Sequence, residues 1–228
     1  MPALTLTEEF TRKSRLAGGL YLIIIATGLG AELGLRGPLI NFADAEATAA
    51  AILAAPGQFR LAIAADMVMA LSDAGLAIVL YLIFRIPAPG LALSAMVFRL
   101  IQAVLIAASL LALMAALLVL LRAESLSGAP DLALVFLEIH AHGYDLGLVF
   151  FGVNSLIMGL LVWRSALFAK LFGIGLGVAG LVYLAGSGLR FFAPECSAVF
   201  APAYGLTILA EMAFCLRLLS QRGPRTVI

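Results

Sequence analysis

Residues 59–84 read FRLAIAADMVMALSDAGLAIVLYLIF. A helix needs about 20 predominantly apolar residues to cross a hydrocarbon layer of about 30 Å, and this run supplies them. It also carries Asp66 and Asp73. A carboxylate at bilayer depth costs at least ~2.5–3.5 kcal/mol, so such groups face a bundle interior, a water-filled cavity or a partner. At ~100° per residue, Ala62, Asp66, Ala70, Asp73 and Ala77 fall on one stripe. Small residues there admit a neighbouring backbone, and the carboxylates require partners from it.

The rest of the chain has the same character. Of its 228 residues, 64% are hydrophobic and 12% are charged, and its mean hydropathy is +1.13. A soluble domain carries about 25% charge, so the solvent that accommodates this surface is lipid. Six spans are expected, at about 16–35, 59–84, 91–121, 133–163, 167–189 and 203–219. The second ends at the Ile86-Pro87-Ala88-Pro89-Gly90 turn, whose prolines stop a helix. The expectation is an all-α polytopic membrane protein forming a single six-helix domain over residues 1–228. Between the first two spans, the Ala-rich stretch from Ala45 to Ala55 reads as a short helix lying on the membrane surface. The first span follows Arg12, Lys13 and Arg15, as a signal peptide would, but its full length favours retention in the membrane.

The basic residues set the expected orientation. With the N-terminus inside, the inner side holds Arg12, Lys13, Arg15, Arg85, Arg164, Lys170, Arg217, Arg222 and Arg225. The outer side holds Arg36, Arg60, Arg122 and Arg190. This bias predicts an N-in, C-in membrane protein. No basic patch interleaved with aromatics points to nucleic acid. Cys196 and Cys215 form neither a CxxC nor a zinc spacing and read as unpaired thiols.

The stretch from Gly147 to Ala185, GLVFFGVNSLIMGLLVWRSALFAKLFGIGLGVAGLVYLA, resembles the best-preserved part of a bacterial integral-membrane family known as domain of unknown function 4386. Members show GLxFFGLxxLLLGYLxYRSGFxPRxLGxLLxxAGxGYL there. The opening from Arg15 to Leu22, together with Arg60, Asp66, Asp73 and Leu80-Tyr81, is also similar to the family's first and second spans. Asn154 stands where a His is common, and Ala169 where a Pro is common. The resemblance implies the membrane fold and no particular activity.

Polar residues in the other spans complete a candidate site. Glu138, His142 and Asp145 share one face of span four, continued by Gly152 and Gly159, with His140, Gly147 and Asn154 on the opposite side. Span three contributes Arg99 and Gln102, and span six presents Tyr204, Thr207, Glu211 and Cys215 on one face. These placements predict an outward-facing polar cavity in which Asp66, Asp73, Arg99, Gln102, His142, Asp145, Asn154 and Glu211 bind a small amphipathic or polar ligand. An Asp73–Arg99 pair closes it below, and His142 acts as a protonation switch. The alternative for the same pair is a structural lock, and Arg99 has a second alternative, snorkelling to the inner surface.

Membrane lipid and the small ligand are the expected partners. A metal-dependent reading uses Glu138, His142 and Asp145 to hold zinc or manganese, with Asp66 as a fourth ligand, in a hydrolase acting on lipid. A structural or assembly subunit is the third reading. No phosphate-binding glycine loop and no GxSxG elbow is present. Tyr183, Phe191 and Phe192 read as interfacial anchors. Gly30/Gly34 and Gly173/Gly177 form GxxxG patterns whose default role is helix packing.

Overall fold

A computed structural model describes residues 6–222; Arg225 and the rest of the basic tail lie outside the described residues. No strand occurs among the described residues. The helices are α1 (Leu6–Leu29), α2 (Ala45–Ala54), α3 (Pro56–Phe84), α4 (Pro89–Leu120), α5 (Ala129–Ser165), α6 (Lys170–Phe192), α7 (Ser197–Phe200) and α8 (Tyr204–Leu219). Six helical stretches among the described residues are long and apolar enough to cross a membrane. Proline at the first turn starts α3, α4 and α5, where its missing N–H costs nothing. The 37 residues of α5 extend about 55 Å at 1.5 Å per residue. That exceeds the ~30 Å hydrocarbon core, so α5 tilts or projects from it.

Neighbours in sequence are neighbours in space. α1 packs on α3, α3 on α4, α4 on α5, α5 on α6 and α6 on α8; α8 then returns to α1 and closes a ring. One end of the ring carries the start of α1 and the end of α8, and is called here the terminal end; the other carries α2. At the terminal end Tyr21, Leu76, Phe84, Leu161, Phe168, Phe214 and Leu218 form one apolar core. Toward the α2 end a second core joins Ile52, Phe59, Leu113, Leu117 and Leu137. The Ala45–Ala54 helix forms as expected, capped by the Asp44 side chain on the Ala47 N–H at 2.9 Å. It does not lie free on a membrane surface, however. It packs on α3, α4 and α5 and buries Ile52 completely.

The α5·α6 contact depends on glycine. A Cβ on Gly159 would stand 2.7 Å from the Gly173 carbonyl oxygen, and one on Gly173 would stand 2.7 Å from that of Gly159. Gly177 supplies backbone to the same contact, so the Gly173/Gly177 pattern packs helices as expected. Gly30 and Gly34 do not: a Cβ on either meets nothing within 4 Å. They lie in the π-helical segment Gly30–Arg36 that prolongs α1 and packs on α3.

Candidate functional site: a charged cavity inside the ring

The stripe on α3 is fully buried, and each of its carboxylates meets a guanidinium. Asp66 is paired with Arg36, which also pairs with Glu32 one turn earlier in the π-helical segment. Asp73 Oδ1 accepts from Arg99 Nε at 2.8 Å and lies 2.6 Å from Arg99 Nη2. Asp73 Oδ2 accepts from Gln102 Nε2 at 3.0 Å. Arg99 is 2% exposed. Its guanidinium sits 5.2 Å from the Tyr21 ring centroid and 4.9 Å from that of Phe151. An arginine held by a carboxylate and two ring faces stays in place and does not snorkel. A third pair, Arg190 Nε to Asp145 Oδ2 at 2.6 Å, joins α6 to α5.

Above the Asp73–Arg99 pair, toward the α2 end, lies a cavity of about 710 Å³. Asp73, Gln102 and Glu211 lie at its inner end, with Tyr183 donating to Glu211 Oε1 at 2.7 Å. Its middle is walled by apolar groups such as Ile24, Ile25, Leu148 and Phe151. Glu32, Arg36, Asp145 and Arg190 surround its outer part. The contacts that join α1 to α8 lie toward the terminal end: Tyr21 stacks edge-on against Phe214, and the Cys215 thiol donates to the Gly18 carbonyl at 3.3 Å. Toward the α2 end both helices line the cavity. There Leu33 is 70% exposed and Ile208 39% exposed. The cavity thus lies between α1 and α8 at this end, beside exposed apolar side chains of both helices.

Of the residues expected to bind a ligand, Asp73, Gln102, Asp145 and Glu211 line this cavity. Asp66 lies behind Arg36, Arg99 beneath the floor, and Asn154 on the far side of Arg99 with Tyr81, Met96 and Met158. His142 is exposed, and its Nδ1 lies 2.8 Å from the Glu138 carbonyl. The histidine that lines the cavity is His140, 4% exposed, with Nδ1 3.1 Å from Ser109 Oγ and 3.2 Å from the Ser109 carbonyl. His142 itself does not line the cavity; it lies near Asp145, which does.

The zinc or manganese set of Glu138, His142 and Asp145 does not assemble either. Glu138 is exposed, Asp145 is taken by Arg190, and the His142 ring lies 5.9 Å from that of Phe191. Among the described residues no three His, Cys, Asp or Glu side chains converge to hold a metal ion. The reason is helical phase. The Glu138–His142–Asp145–Gly152–Gly159 stripe is the side of α5 that faces α6, as the Arg190 and Gly173 contacts show. The cavity wall is the adjacent face, Leu137, His140, Ala141, Tyr144, Leu148 and Phe151.

Tyr183 is a cavity residue and not an interfacial anchor, whereas Phe192 is 90% exposed at the α6 end. Cys196 and Cys215 are both free thiols, the first exposed and the second buried.

A ring of six apolar helices, with paired charges at its centre and a cavity between α1 and α8, defines a polytopic α-helical membrane protein. The family model described as Domain of unknown function (DUF4386) matches residues 16–221. The chain belongs to that family. No curated protein and no solved structure matches it.

Proposed function

We propose that this protein binds a small amphipathic ligand in the cavity between α1 and α8 and exchanges it with the bilayer, as a receptor or transporter of the bacterial cytoplasmic membrane. The observation that carries this reading is the combination of a polar inner end and apolar walls in one cavity of about 710 Å³ lined by α1 and α8. A ligand with a polar head and an apolar tail satisfies both at once, and a mouth between those two helices would admit it from the hydrocarbon. With the N-terminus inside, as the distribution of Lys and Arg favours, the α2 end faces outward and the ligand is met from the outer leaflet. The Asp73–Arg99 pair beneath the cavity separates it from the terminal-end core, so passage of a ligand further through the ring requires that pair to part.

Ten-carbon amphipaths test the reading. Radiolabelled decanol, decylammonium and decanoate are titrated onto the purified protein in a neutral maltoside detergent. At least one binds saturably, one per chain, and Ile208→Trp, which puts an indole in the mouth, abolishes that binding in a folded protein. If none of the three saturates on the wild-type chain, the reading is wrong.

A further inference from the structure

We infer that the inner end of the cavity is a site for a primary ammonium group carried on an apolar chain. The inference rests on the binding role proposed above and specifies its chemistry.

Glu211 is 7% exposed, yet among the cavity's carboxylates it alone has no guanidinium in ion-pair contact among the described residues. Glu32 and Asp66 share Arg36, Asp73 holds Arg99 and Asp145 holds Arg190. The donors that reach Glu211 are the Tyr183 hydroxyl at 2.7 Å and the Tyr21 hydroxyl, both uncharged. The second observation is independent of charge. Gln102 is 3% exposed and lines the cavity; with Nε2 committed to Asp73, its Oε1 is left without a partner. A buried carbonyl oxygen without a donor keeps its full desolvation cost, and a ligand that donates to it recovers that.

The side chains that line the inner end thus offer acceptors: a carboxylate, an amide oxygen and the faces of Phe151 and Tyr183, whose rings lie 5.0 Å apart. A primary ammonium has three N–H donors, a positive charge and an affinity for ring faces, and matches each of these. A carboxylate or phosphate head would meet Glu211 and Asp73 with no free cation to receive it. Arg99 does not supply one, because it lies below the floor, held by Asp73 between two rings. Arg36 and Arg190 lie nearer the outer part of the cavity and are likewise engaged by carboxylates. The chain on such a ligand leaves between Ile24, Ile25 and Ile208 through the mouth into the hydrocarbon.

The test is competition on the wild-type protein, which needs no variant to fold. Radiolabelled decylammonium is displaced by unlabelled decylammonium, decanol, decanoate and decyltrimethylammonium. The ammonium outcompetes each of the others by about ten-fold or more, the worth of one charge-assisted hydrogen bond. Glu211→Gln removes most of that preference and Gln102→Met narrows the gap between the primary and the trimethyl head.

Equal competition by decanol overturns the inference and leaves an unselective amphipath site; tighter binding of decanoate overturns it too. Absence of any saturable binding removes both this inference and the function it rests on. Vesicles then separate the sources of the amine. Displacement by phosphatidylethanolamine and not by phosphatidylglycerol assigns the amine to a lipid headgroup, displacement by neither assigns it to a free lipophilic amine, and displacement by phosphatidylglycerol contradicts the assignment.

Discussion

Single side chains decide how charge is tolerated inside this ring. Arg99 and Asp73 satisfy each other, and each is costly alone: removing one partner of a buried pair leaves an uncompensated charge worth about 3–5 kcal/mol. Arg99→Gln is therefore expected to lower stability by that order, while Asp73→Asn/Arg99→Gln together lose clearly less than the sum of the single changes. Unfolding of the four proteins in mixed micelles measures the coupling, and simple additivity would show that the pair is not the lock. The pair was legible in the sequence because Asp73 and Arg99 lie on adjacent spans and Arg99 is the cation left within a span. Arg36 was not: it sits at the end of an apolar run and reads as a loop cation. The π-helical segment Gly30–Arg36 changes the helical phase over its last turn, and Arg36 ends up 4% exposed against Asp66. The spacing of Glu32 and Arg36 was the available signal.

At the level of elements, the ring owes its shape to where backbones can approach. Gly159 and Gly173 let α5 and α6 touch through their main chains. A leucine at Gly173 must push them apart, and overpacking of this kind costs typically about 1–3 kcal/mol. Gly30→Ala, with open space around it, should be neutral or slightly stabilising. Melting temperatures in detergent distinguish the two, and equal effects would mean that the α5·α6 contact is not close-packed.

Helix existence was readable throughout, since length and apolar content suffice for a membrane span. Helix ends were less so: α1 begins at Leu6, ten residues before the expected span, in a polar turn where Lys13 pairs with Glu9 at 2.5 Å. The faces of α5 were misjudged because that helix is polar on two sides. Sequence phase fixes which residues share a face, but only the neighbours α4 and α6 decide which face is cavity and which is contact.

The whole molecule is a ring with an apolar core at its terminal end and a cavity between α1 and α8 toward α2. Its orientation has a direct readout in Cys196, an exposed native thiol in the α6–α8 connection, against which the buried Cys215 serves as an internal control. With the N-terminus inside, a membrane-impermeant maleimide labels Cys196 from the periplasmic side, and Cys196→Ser abolishes the signal. Labelling only in inverted vesicles would reverse the proposed topology.

What the ring encloses is the heart of the matter, and a structure of the protein extracted with its native lipid tests it most directly. An elongated density should enter between α1 and α8 beside Ile208 and end at Glu211 and Gln102. A ring in which α1 and α8 pack together along their whole length, leaving no cavity above Asp73 and Arg99, would contradict it.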